Sequence, residues 1–199
     1  MMPSARKDTM IFLLILLLAA ALRVWHSWEY PLHYDEATHA NKAARMMDLL
    51  TPFDNINSYQ GPVIAYALMP SLLLFGRDLL FLRLTTILFS LATIALLYLF
   101  TKSYYNTNVA LLAAFILATT PNDILSSSIT TEVTLIPFFM MLALLLFQRF
   151  AASGKNAYLY LFAFISGVAI NARLSFLFFL AAFFLAVKFV PIACTKRSK

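Results

Sequence analysis

Six long apolar runs separated by polar breaks dominate the chain: approximately Met10 to Ser27, Leu79 to Phe100, Val109 to Ile124, Val133 to Phe147, Tyr158 to Ile170 and Leu174 to Val190. A hydrocarbon core of about 30 Å is crossed by roughly 20 apolar residues in a helix, so each run predicts a membrane span. The fourth and fifth are short and must extend into their polar flanks. A seventh run, Val63 to Phe75, has about half the length of a span, follows Gly61-Pro62 and contains Pro70. That pattern predicts a half-helix lying at the interface or dipping partway in. Between the first two spans, Ala40, Ala43, Ala44, Met47 and Leu50 recur at helical spacing within Ala37 to Leu50, with His39, Lys42 and Asp48 elsewhere around the axis. This stretch predicts a short amphipathic helix on the membrane surface. The turn formers over 51–62 predict a loop above it.

Composition agrees with an all-α polytopic membrane protein: 62% of the 199 residues are hydrophobic, 12% are charged, and the mean hydropathy is +0.81. No soluble domain of useful size fits, and Cys194 alone carries no disulfide framework. The expected organisation is one module over 1–199. It has a first span at 10–28, an outer segment at 29–78 with interfacial helices, five further spans over 79–191 and a tail at 192–199. Six spans put both termini on one side, together with Arg6, Lys7, Lys102, Arg149, Lys155, Lys188, Lys196, Arg197 and Lys199. By the positive-inside rule that side is cytoplasmic, which accounts for the basic pI without a nucleic-acid partner. The compact chain with few outer loops suggests a bacterial plasma membrane.

Eight of the nine acidic residues then fall on the outer side, where chemistry is expected. Asp35 has two compatible readings: cap of the surface helix, or general base that takes a proton from an acceptor hydroxyl or amine. Glu36 would orient the acceptor or Asp35. Glu132, at the outer end of the fourth span, is costly unless it points inward to a partner. Asp123, beside Pro121-Asn122, reads as a turn residue. Among the cations, Arg83, Arg173 and Lys42 are candidates for binding a phosphate, to which arginine's planar fork is suited, while Arg77 reads as a headgroup contact. His33 and His39 flank the acidic pair and are weak candidates for a divalent metal, since their spacing matches no specific ligand pattern.

The order of these features is similar to the front half of GT-C membrane glycosyltransferases. The nearest likeness is to the protein mannosyltransferase and lipid A aminoarabinose transferase group. His33-Tyr-Asp-Glu-Ala-Thr-His-Ala40 resembles that group's Asp-Glu motif, Tyr59-Gln-Gly-Pro-Val-Ile-Ala-Tyr66 its Pro-led stretch, and Thr130-Thr-Glu-Val-Thr-Leu135 its second acidic motif. Leu-Phe-Gly-Arg-Asp before Leu82-Arg83-Leu84, and Asn171-Ala-Arg-Leu-Ser175, complete the resemblance. It implies sugar transfer from a polyprenyl-phosphate donor to a lipid, glycan or protein acceptor on the outer face, with inversion at the anomeric carbon. Asp35 would be the base, Glu132 would position donor or acceptor, and Arg83 or Arg173 would neutralise the leaving phosphate. Those enzymes usually continue for several more spans, so a second membrane subunit is a further expected partner. The alternatives are an inactive GT-C-like module for lipid binding or assembly and, third, a small transporter.

Overall fold

The computed structural model describes residues 4–50 and 61–189. They fold into nine helices and one 3-10 turn, with no β-strand among the described residues. In chain order these are α1 (Ser4–Glu29), α2 (Tyr34–Asp48), α3 (Val63–Phe75), α4 (Leu79–Tyr104), α5 (Thr107–Thr119), α6 (Pro121–Ser127), the 3-10 turn Glu132–Thr134, α7 (Leu135–Ser153), α8 (Asn156–Ala172) and α9 (Phe176–Phe189). The expected loop over 51–62 lies outside the described residues as far as residue 60, as do Val190 and the tail over 192–199.

Among the described residues three stretches are long and apolar enough to cross a membrane: Arg6–Glu29, Leu79–Tyr104 and Glu132–Ser153. The third predicted span is not one straight helix. It bends by 59° between α5 and α6, where Pro121 takes the first position of a new helix because its missing N–H costs nothing there. Counted as one crossing, the bent pair makes four. The fifth and sixth predicted spans correspond to α8 and α9, of 17 and 14 described residues. At 1.5 Å per residue α8 is about 25 Å long, short of a full hydrocarbon core.

α4 runs through the middle and packs on α1, α3, α5 and α7. On one side, Ala19 of α1 and Ala110, Ala114 and Ala118 of α5 are fully buried around Ile94 and Tyr98. Small side chains let backbones approach closely, which is how helices associate in lipid. On the other side, Ile64, Leu68 and Leu72 of α3 join Leu135 and Phe139 of α7 and Phe162 of α8. Leu13, Leu14 and Leu17 of α1, and Phe178 and Phe184 of α9, stay exposed as an apolar outer surface.

α3 has the bounds expected of the half-helix, and Gly76 ends it with φ +67°, a conformation that favours glycine. α2 begins three residues earlier than the apolar spacing suggested, and its cap is His33 instead of Asp35. The start comes early because His33 and Glu36 close a reciprocal capping box, which holds the first turn before the apolar pattern begins.

Candidate functional site

The end of α1, the start of α2, the start of α4, the segment after α6 and the α8–α9 turn meet at one end of the bundle. The capping box turns Glu36 inward: its Oε2 accepts the His33 N–H at 2.9 Å, and its side chain is fully buried. Arg83, one turn into α4, meets it as a fork, Nε to Oε1 at 2.7 Å and Nη2 to Oε2 at 2.7 Å. The Thr130 N–H adds a bond to Oε1 at 3.0 Å. Burial pushes the Glu36 carboxyl up, but the guanidinium and the two backbone N–H groups outweigh it and hold the group below the usual carboxylate range.

Arg83 spends its other N–H groups on the chain leaving α1. Nη1 donates to the carbonyls of Ser27 and, at 2.9 Å, Tyr30, and Nη2 donates to that of Pro31 at 3.0 Å. A guanidinium has five N–H groups, and these contacts engage all of them. Arg83 has no donor left over among these bonds, and Glu36 accepts four. Together they fix the turn from α1 to α2.

Glu132 is the second buried carboxylate. Its Oε2 lies 2.9 Å from His39 Nε2 and its Oε1 accepts from Arg173 Nη1 at 3.0 Å, so it joins α2, the 3-10 turn and the α8–α9 turn. Arg173 is one-third exposed, and Nη1 on Glu132 leaves its outer edge facing the surface. Among the described residues His39 Nδ1, Thr130 Oγ1 and Thr131 Oγ1 are buried without a hydrogen-bond partner, which gathers unused polar capacity around the two carboxylates.

Asp35 differs from both. It sits in the first turn of α2, where the helix dipole favours a negative charge, and its side chain is 42% exposed. His33 Nδ1 accepts the Asp35 N–H at 3.3 Å and lies 3.7 Å from Asp35 Oδ2. Lys42, two turns along α2, is half-buried. The two histidines do not converge: His33 caps the helix at the surface and His39 is buried on Glu132. Among the described residues no three metal-ligating side chains of the His, Cys, Asp and Glu types come together.

One cluster was missed entirely. Arg23 of α1 is fully buried; Nε donates to Ser90 Oγ at 2.8 Å, Nη1 to the carbonyls of Ala19 at 2.9 Å and Ala118 at 3.0 Å, and Nη2 to the Asp123 carboxylate. Ser90 Oγ also donates to Asp123 Oδ2 at 2.7 Å. Asp123 is thus half of an ion pair that ties α6 to α1 and α4, and more than a turn residue. The available signal was the arginine itself, since a charge inside an apolar span has to find a partner.

Residues 59–198, well over half of the chain, match the family model described as dolichyl-phosphate-mannose-protein mannosyltransferase. The chain belongs to that family. It is accordingly an integral membrane protein of a GT-C glycosyltransferase family. The match contains Arg77, Arg83, Glu132 and Arg173 and begins after α2. For Asp35, Glu36, His39 and Lys42 the mannosyltransferase family match is therefore silent, and their roles rest on geometry. No curated protein matches the chain.

Proposed function

We propose that the protein transfers a sugar from a polyprenyl-phosphate donor to a hydroxyl- or amine-bearing acceptor at the outer membrane face, with Asp35 as general base. Asp35 carries this reading. Of the three acidic residues at this end of the bundle that the sequence singled out as candidates, Glu36 is held by Arg83 and Glu132 by His39 and Arg173, while the Asp35 carboxylate is half-exposed and accepts no hydrogen bond among the described residues.

In the proposed step Asp35 takes the acceptor proton as the acceptor atom bonds to the anomeric carbon on the side opposite the phosphate. The bond from that carbon to the phosphate oxygen breaks, its electron pair leaves on the polyprenyl phosphate, and the anomeric configuration inverts. The growing phosphate charge calls for a nearby cation. Of the sequence candidates, Arg173 keeps donors at the surface and Lys42 lies on the same helix as Asp35, whereas Arg83 is committed. Glu36 and Glu132 then act as positioning residues, one through Arg83 and the other through Arg173. In this arrangement both termini are cytoplasmic and the acceptor is a lipid, a glycan or a protein.

The test uses full-length protein in lipid bilayers with a polyprenyl-phosphate sugar and measures released polyprenyl phosphate. Replacing Asp35→Asn is expected to lower turnover by about 10²–10⁴-fold, the usual contribution of a positioned base, with donor binding retained. Transfer by that variant at the wild-type rate would overturn the role of Asp35.

A further inference from the structure

The helix that carries Asp35 is capped by a group that titrates. Ser, Thr, Asp and Asn are the usual residues at a helix N-cap, yet His33 takes that place on α2, with φ −92° and ψ 147°. Its backbone N–H donates to Glu36 Oε2 at 2.9 Å, and its ring Nδ1 accepts from the Asp35 N–H at 3.3 Å. The same Nδ1 lies 3.7 Å from Asp35 Oδ2. Ring and carboxylate are 41% and 42% exposed, so water delivers protons to both.

Nδ1 serves one of these two neighbours at a time, and its protonation decides which. A bare nitrogen accepts the Asp35 N–H and completes the capping box. An imidazolium is a donor at both ring nitrogens and accepts nothing, so a ring that takes a proton loses the cap bond. Its positive charge then sits at the N-terminal end of a helix, where the dipole disfavours it. The counter-charge within reach is the Asp35 carboxylate.

The other charges around this turn are matched or stand off the ring. Glu36 is held by Arg83 of α4, whose remaining N–H groups go to carbonyls of the chain leaving α1. Glu132 is held by His39 and Arg173. Glu29 ends α1, and Arg77, before α4, borders a pocket with Leu32 and Glu36. Among the described residues neither pairs with His33, whose ring meets Asp35 alone.

We infer that His33 is a positioning residue that switches Asp35 with pH: the neutral ring caps α2 and leaves the carboxylate open to the acceptor, whereas the imidazolium takes the carboxylate. The inference rests on the reading of Asp35 as base. Imidazole charge ordinarily changes between about pH 5 and 8, so transfer is favoured at the upper end of that range.

Two measurements on the full chain test it: the pH profile of polyprenyl phosphate release in lipid bilayers, and the NMR signal of the Asp35 amide in isotope-labelled protein. For one titrating group, kcat/KM of the wild type should fall about tenfold between about pH 7.5 and 5.5. In His33→Asn, which caps without titrating there, the change should stay within about twofold. The Asp35 amide signal should move over the same range in the wild type and stay in place in His33→Asn. His33→Ser, a second capping variant, carries the same expectation should His33→Asn misfold. An equal fall in rate in wild type and variants would overturn the switch, and so would an amide signal that moves equally in all of them. The two proposals fail separately. An amide signal that moves only in the wild type, with full transfer by Asp35→Asn, would remove the base reading and leave the His33 contact. Loss of transfer in Asp35→Asn, with a pH profile that His33→Asn does not alter, would remove this inference alone.

Discussion

Glu36 accepts four hydrogen bonds, two from Arg83 and one each from the His33 and Thr130 backbones, and so behaves as a structural clamp. Its carboxyl is held below the usual range, which sets the sign of its pH dependence. The stability it contributes is fully present above the ordinary glutamate value of about 4.3 and is lost as pH falls through the lower folded value. Comparing unfolding of the wild type and Glu36→Gln across that acid range should show a slope in the wild type that the variant lacks. At neutral pH the variant should lose about 3 kcal/mol, because Arg83 would be left buried without its counter-charge; equal stability of the two proteins would contradict the clamp. The sequence displayed Asp35, Glu36, Arg83, Glu132 and Arg173 as the polar residues worth following, and the structure does bring them to one end of the bundle. It did not display the pairings. Glu36 and Arg83 are 47 positions apart, and a list of charges does not say which of them are consumed. Arg23 was passed over for the same reason, since its partner Asp123 lies 100 positions away in a segment that reads as a turn.

Helices with simple apolar runs were legible at the level of elements: α3, α4 and α7 fall close to the stretches read from the sequence. The exceptions have local chemical causes. α2 starts early because of the His33 and Glu36 capping box, and the third span bends where Pro121 begins a new helix. A contact that hydropathy cannot register is the approach of Gly61, just before α3, to the end of α8. A Cβ on Gly61 would fall 1.5 Å from the carbonyl oxygen of Asn171. Backbone has to move to admit it, so Gly61→Ala should destabilise the protein by about 1–3 kcal/mol and lower its thermal midpoint in detergent. An unchanged midpoint would show that α3 and α8 are not packed this closely.

The whole molecule joins a membrane-embedded bundle to a polar end where three carboxylate–cation pairs brace the elements and the Asp35 carboxylate is left half-exposed. Arg23 with Asp123 holds α6 against α1 and α4; the segment after α6 then delivers the Thr130 N–H to Glu36 and the Glu132 carboxylate to His39 and Arg173. Such bracing suits a site that must keep its geometry, because precise placement of reacting groups is worth several kcal/mol of a reaction barrier. The family was legible from the order of weak motifs, whereas the bend between α5 and α6 was not, because Pro121 begins a new helix where one straight span was read. The account's central claim is that sugar transfer occurs at the membrane face where α1 meets α2. The most direct test is transfer in sealed vesicles of known orientation, with a polyprenyl-phosphate sugar and acceptor supplied to one face at a time. Transfer is predicted only when both reach the face that carries Asp35, and transfer confined to the opposite face would contradict the account.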